Sequence, residues 1–462
     1  MTALKIMSKE LLADLETPVS GYLKLCVGEK VSFLFESSEN VESIGRYSVI
    51  AWDPLASIIL SDKGTEVAEP EGVSEHSANE FFKCARKLMN DMLCPDLPQL
   101  PFVGSLAGYV GYDTIRLVER LPNPLPKNLP VAWLCYPSQF LVFDHLYRTM
   151  TICAIGSDEA DCKNKLALIE KKLGQSVVSH KSRSDMFIDS PAQEKFVEAV
   201  LKAKERILDG DIFQVVLSDQ VTGEIDVDPL EVYRWMRVNS PSPYMFFLNF
   251  GDFKVAGASP ETLVKLTGKQ VLIRPIAGTR GRSNDPFKDK ALEEELLGSE
   301  KERAEHIMLV DLARNDAGRV CEYGSVKVEP YMTVERYSHV MHIVSQVTGV
   351  LREGLDAWDA FIAGFPAGTV SGAPKIKAME IIDDLETEPR GPYGGAVGYW
   401  GPGSTMDTCI AIRMIQFLGK RFILQAGAGI VADSSPVFEY EEIMRKAAHG
   451  IASLRSATGV QP

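Results

Sequence analysis

From Gly210 onward the chain alternates short strand-like runs with amphipathic helices, yet it carries no βαβ repeat and no Gly-x-Gly-x-x-Gly after a strand. A doubly wound dinucleotide fold requires both. The strands are therefore left to pair with near neighbours, as Phe253–Val255 would against Val264–Leu266. The first third also reads as strand-rich. Phe33–Glu36, Tyr47–Ala51 and Phe140–Phe143 are β-branched and aromatic runs bounded by turn formers, and Pro95, Pro98, Pro101, Pro122, Pro124, Pro126 and Pro130 mark irregular connections. Between Gly174 and Asp189 the sequence turns polar and loses its pattern, which predicts a surface linker. Ser190-Pro191-Ala192-Gln193 then reads as a helix start, with Phe196, Val197, Val200, Leu201, Ile207 and Leu208 at helical spacing up to Gly210.

At 462 residues, length alone would allow about three domains. The 45% apolar and 24% charged content is that of an ordinary globular protein. A net charge of −14 argues against nucleic acid or anionic membrane as the main partner. Met1–Leu15 lacks the apolar core of a signal peptide, and no run approaches the ~18 apolar residues of a membrane span. Cys26, Cys84, Cys94, Cys135, Cys153, Cys162, Cys321 and Cys409 are scattered without a Cys-x-x-Cys pair, which suggests idle thiols in a reducing compartment. The cytoplasm is the expected location.

Four segments carry the marks of chemistry. In Arg274–Arg282, Gly278 and Thr279 sit at a turn among Arg274, Arg280 and Arg282, which suits a carboxylate ligand or simply a basic surface hairpin. In Gly298–Asp316, Glu302 and Glu305 share a helix face. Ser299-x-x-Glu302 is also a capping box, whereas Glu305 borders the apolar run Ile307–Leu309, where a carboxylate needs a partner. Phe365–Lys375 is a tight small-residue loop leading into a helix at Ile376–Leu385, a place for an anion although not a Walker A loop. In Leu424–Lys446 a strand ends in Gly427-Ala428-Gly429, and Ser435-Pro436 opens a helix bearing Glu439, Glu442 and Lys446. Glu442 and Lys446 would form a plain i,i+4 ion pair, or serve as a metal carboxylate and a substrate cation. Two carboxylates suit Mg²⁺ better than zinc.

Taken together, these segments resemble the chorismate-utilising enzymes, and among them the large (synthase) component of the anthranilate synthase branch. The likeness is dense from Ser190 to the C-terminus and weaker from Thr17 to Trp52. It implies an α+β fold of two large, mostly antiparallel sheets packed as a sandwich with helices around them. It also implies a catalytic core over 190–462 and an N-terminal region over 1–175, both lobes of one body. By this resemblance Glu305 and Glu442 hold Mg²⁺. Gly278, Thr279, Tyr393, Arg413, Gly427, Ala428, Gly429 and Lys446 contact substrate, with the Thr369 loop lining the site. Glu302 falls at the general acid that protonates the departing C4 hydroxyl of chorismate, and His342 at a histidine supporting loss of pyruvate. Ammonia adds at C2, and elimination of pyruvate gives anthranilate.

Two positions separate this reading from its relatives. Enzymes that add water carry a lysine base where this chain has Gln214, and those that aminate C4 carry a lysine nucleophile where it has Ala277. C2 amination is therefore expected. An enzyme stopping at 2-amino-2-deoxyisochorismate, and a non-catalytic chorismate- or tryptophan-binding regulator, are the alternatives. The resemblance further implies a separate glutamine amidotransferase subunit (component II) as ammonia source. It also implies a tryptophan feedback site at Ser37, Pro243, Tyr244 and Met245.

Overall fold

The computed structural model describes residues 4–37, 45–92, 94, 97, 100–127, 129–177, 185–337, 340–402 and 405–459. Every strand pairing among them is antiparallel, and the ladders join 21 strands into one hydrogen-bonded network, with a separate three-stranded sheet formed by Ile276–Gly281, Val340–Val344 and Thr333–Arg336. This is the expected α+β class with a large antiparallel sheet. The two sequence halves are stitched together by strands. Val31–Glu36 pairs with Tyr244–Phe250, and Leu106–Val110 pairs with Ala396–Gly401. One buried apolar cluster accordingly runs from Val19 to Ala457. At Gly108 and Gly398, which face each other across the second ladder with positive φ, an added Cβ would meet a backbone oxygen at 2.1 Å. Only glycine allows that approach.

The strand-like runs of the first third all form strands and extend further than expected, to Tyr47–Ser61 and Ala132–Asp144. The proposed hairpin between Phe253–Val255 and Val264–Leu266 does not form. Phe253–Ser259 turns back on Tyr244–Phe250 across the positive-φ Gly251 and pairs on its other side with Met414–Leu418. Thr262–Thr267 pairs instead with Gln270–Ile273 and Thr405–Ile410. Pro260, which has no N–H to give a ladder, stands at the break.

The helix after the linker begins at Gln193, not at Ser190. Its N-cap is Ala192, without a side-chain cap bond. Met186–Asp189 is drawn into a strand against Thr222–Ile225, which carries the chain through Ser190 in extended form. Residues 178–184 of the expected linker, and Pro95 and Pro98, lie outside the described residues. The cysteines are all buried and unbridged. Among the described residues no helix is long and apolar enough to cross a membrane.

Candidate active site

Four elements converge on a cavity of about 240 Å³ in the second half. The strand Gln214–Ile225 pairs with Arg421–Ile430, setting Val216 against Gly429 and Ser218 against Gly427. Side chains alternate along a strand, so Gly427 and Gly429 face the cavity while Ala428 packs into the core. Both glycines make room for polar groups. A Cβ at Gly427 would lie 2.8 Å from the Tyr393 hydroxyl, and one at Gly429 2.4 Å from Gln214 Nε2. Gln214 is 5% exposed and, among the described residues, its Oε1 is buried without a hydrogen-bond partner.

On the opposite side, the irregular ladder at Ala277/Thr279 turns Ala277 and Thr279 toward the same space. His342 lines it too. Its Nδ1 lies 3.1 Å from the Gly278 carbonyl and 3.0 Å from Thr279 Oγ1. A carbonyl can only accept, so the hydrogen sits on Nδ1 and Nε2 keeps its lone pair. Burial, with a contribution from nearby Arg413, pushes the imidazole down to about 4. His342 is thus a neutral base near pH 7.

The deepest acid is one that sequence reading did not single out. Glu261, 7% exposed, projects into the cavity beside Pro260. Thr369 Oγ1 donates to its carboxylate, 3.3 Å from each oxygen. Burial raises Glu261 to about 8, although Thr369, the Ile276 N–H and Arg413 all favour its charged form. A carboxylic acid that keeps its proton at neutral pH is suited to donate it. Arg413 lines the same cavity and keeps exposed surface, and desolvation lowers its pKa with Glu261 offsetting. Its φ of 49° is a left-handed conformation costing a non-glycine residue about 1–2 kcal/mol. A cation sharing a cavity with a neutral acid leaves a positive site open for a carboxylate.

Glu302 does not line this cavity. Ser299 caps the helix Glu300–Gly318 by accepting from the Glu302 N–H. The reciprocal half of the expected capping box is not made, because the Glu302 carboxylate goes to Arg280 at 3.2 Å. Arg280 also holds Glu295, Arg282 holds Asp289, and Arg274 pairs with Glu335. The basic segment is therefore internally neutralised, which favours its reading as a structural hairpin over a substrate clamp. Gly278 contributes its carbonyl to His342 and lies under Glu302, whose Oε2 a Cβ there would meet at 3.1 Å.

One turn along, Glu305 does face the cavity. Burial and the neighbouring Glu302 raise its pKa, while hydrogen bonding from Gln214 opposes the rise. Glu442, on the helix Pro436–Ala457, is not among the residues lining the cavity and lies 2.8 Å from Arg445 and 3.6 Å from Lys446. The ion pair expected of a surface helix is thus present. Lys446 itself reaches the cavity, where its Nζ donates to the Gly427 carbonyl at 2.8 Å.

A divalent cation would find one cavity-lining carboxylate here, Glu305. Among the described residues Glu305 is a largely buried carboxylate without an ion-pair partner, whereas Glu442 is paired with Arg445 and Lys446. Among the described residues no three His, Cys, Asp or Glu side chains form a complete metal cage. A cation there would complete its shell from substrate and water, as Mg²⁺ commonly does.

A second cavity, about 680 Å³, lies between the halves. Pairing of Met245 with Glu36 brings Ser37 beside Pro243, Tyr244 and Met245, and all four line it. Phe35, Phe102 and Tyr399 form an aromatic wall, with ring centroids 4.9 and 5.2 Å apart. Arg46, Lys265 and Asp407 supply charge of both signs. Among the described residues Ser37 Oγ is buried without a partner.

The pattern of the chorismate binding enzymes matches residues 30–451, and the chain belongs to this family. Within it, the chain is similar over nearly its whole length to anthranilate synthase component 1. It is 42% identical over 462 residues to that of Acetivibrio thermocellus, spanning 96% of this chain and 93% of that one. It is 44% identical over 466 residues to that of Pseudomonas aeruginosa, spanning 95% and 93%. The crystal structure of anthranilate synthase component I from Streptococcus pneumoniae superposes with a TM-score of 0.79 at 35% identity, over 97% of this chain and 99% of that one. The menaquinone-specific isochorismate synthase MenF from Escherichia coli shares the fold, with a TM-score of 0.73 at 18% identity over 98% and 95%.

Proposed function

We propose that this enzyme converts chorismate and ammonia to anthranilate and pyruvate in tryptophan biosynthesis, drawing ammonia from a glutamine amidotransferase subunit. The observation that carries the reading is Glu261, a carboxylic acid held neutral at about 8 in the same cavity as the cation Arg413. Arg413 and the Tyr393 hydroxyl would anchor a substrate carboxylate, with Lys446 adding charge at the mouth. Glu261 would give its proton to the departing C4 hydroxyl, a poor leaving group unaided. This reassigns the acid from Glu302, which faces Arg280 rather than the cavity. Gln214 cannot deprotonate water but can orient ammonia at C2 through its free Oε1. Neutral His342, with Nε2 unprotonated, would take the C2 proton as pyruvate leaves. Glu305 and Glu442 would hold Mg²⁺, which when bound supplies Lewis-acid polarisation of the ring carboxylate.

In a product assay, purified protein with Mg²⁺, chorismate and ammonium is expected to release anthranilate and pyruvate in equal amounts. Isochorismate, salicylate, 4-aminodeoxychorismate or accumulated 2-amino-2-deoxyisochorismate as the main product would reject the assignment.

The larger cavity is read as a feedback site for tryptophan. Its aromatic wall suits an indole, its mixed charges suit an amino-acid zwitterion, and among the described residues Ser37 Oγ lacks a partner. Residues 1–175 would then serve as the regulatory region and 190–462 as the catalytic core of a cytoplasmic enzyme. Ser37→Ala is expected to weaken tryptophan inhibition by about tenfold, the value of roughly one hydrogen bond to a charged group. Turnover without tryptophan should stay within a factor of two. Parallel loss of both would contradict a separate regulatory site.

A further inference from the structure

The two cavities stand back to back across the segment Ser259–Thr262. Pro260 and Glu261 line the smaller one. Tyr244, in the wall of the larger one, places its hydroxyl 2.9 Å from Thr262 Oγ1 and 3.0 Å from Asp407 Oδ1. Successive residues in extended backbone project to opposite sides. Glu261 therefore points into one cavity while its neighbour Thr262 reaches the lining of the other.

The polarity of this contact follows from chemistry. A carboxylate accepts, so the Tyr244 hydroxyl donates to Asp407 and is left to accept from the Thr262 hydroxyl. Asp407 is fixed in turn by Lys265 at 2.8 Å. A polar chain thus runs Lys265–Asp407–Tyr244–Thr262 and ends on the backbone that carries Glu261. That backbone has room to give. The ladder from Thr262 to Cys409 slips in register before Val264, so Thr262 is held by one regular pair and then a bulge. The Glu261 carbonyl accepts from the Ile410 N–H at 3.0 Å, on the same partner strand.

We propose that Thr262 is a positioning residue for Glu261, and that its hydrogen bond to Tyr244 is the connection through which an amino acid in the larger cavity acts on the catalytic acid. The proposal rests on the regulatory and catalytic readings above. A ligand that shifts the Tyr244 ring pulls or releases Thr262, and Glu261 moves with it. A displacement of about 1 Å at a reacting group can cost 10²-fold in rate, so a small movement suffices.

The test uses reciprocity, since two coupled sites alter each other's affinity by the same factor. Tryptophan binding is measured by calorimetry on the full chain with Mg²⁺, with and without chorismate and without ammonium. The ratio of the two dissociation constants reads the coupling. In the unmodified protein it should lie in the range of about 5–150. Thr262→Val, which keeps the branched shape but removes the hydroxyl, should bring it close to 1 with tryptophan still bound. Thr262→Ser should restore it. Tyr244→Phe removes the same bond from the other side and should also uncouple the sites, which covers the case of a poorly folded valine variant. An unchanged ratio in folded Thr262→Val or Tyr244→Phe overturns the connection alone. Absence of tryptophan binding to the unmodified protein overturns the regulatory reading, and the connection with it.

Discussion

Glu261→Gln should lower kcat by about 10²–10⁴-fold, the usual contribution of a positioned acid, with folding and chorismate binding largely kept. The substitution preserves shape, and the Thr369 hydroxyl can still donate to the amide oxygen. What disappears is the proton. The sign of the accompanying pH effect is fixed by the direction of the shift. Glu261 is raised to about 8, so it is protonated and competent below that pH and loses its proton above it. In the unmodified enzyme kcat/KM should fall on the alkaline side with an apparent midpoint near 8. The residual rate of Glu261→Gln should lack that limb. Glu302→Gln is the necessary comparison. Because Glu302 is engaged by Arg280 outside the cavity, its replacement should cost less and leave the limb in place. The reverse pattern, a deep loss for Glu302 and a mild one for Glu261, would return the acid to the helix.

The second large effect concerns Glu305 in the cavity and Glu442 on the helix Pro436–Ala457. Glu305→Gln and Glu442→Gln should each reduce turnover by about 100-fold or more, equivalent to roughly 2.7 kcal/mol of lost transition-state stabilisation. Each should also shift the Mg²⁺ concentration needed for half-maximal rate upward. The double variant should lose little beyond the worse single one, because groups that serve one cation are not additive. Full activity with an unaltered Mg²⁺ response in Glu442→Gln would reduce that residue to the ion-pair partner of Arg445 and Lys446.

Much of this site was legible before any coordinates. Ser37 and Pro243–Met245 lie far apart in sequence, but each occurs in a recognisable run, and strand pairing brings them into one wall. Glu305 was legible from cost alone, as a carboxylate at the edge of an apolar run. The same reasoning could have found Glu261, which follows Pro260 and directly precedes the strand Thr262–Thr267 with its buried Leu263 and Val264. A carboxylate opening a buried strand is as expensive as one opening a buried helix turn. Its role was hidden because the groups around it, Thr369, Ile276 and Arg413, come from three remote segments. Glu302 was misleading for the opposite reason. Its spacing from Glu305 was correct, but Arg280 takes its carboxylate away from the cavity. The separation of Ala428 from Gly427 and Gly429 follows from strand alternation and was available from the sequence. Partner choice among strands was not, and the failed pairing of Phe253–Val255 with Val264–Leu266 shows it. Which edge a strand meets depends on residues far along the chain.

That dependence on remote partners also acts on the ribosome. Leu106–Val110 finds its neighbour only when Ala396–Gly401 has emerged, roughly 290 residues later. At about 5–20 residues per second the wait is on the order of 15–60 s. Throughout it, the nascent N-terminal half carries an apolar strand with a bare edge, the kind of surface that invites aggregation. Expression yield should therefore respond to chaperone supply more than final stability does. Synthesising 190–462 alone would leave Tyr244–Phe250 and Ala396–Gly401 with their own edges open.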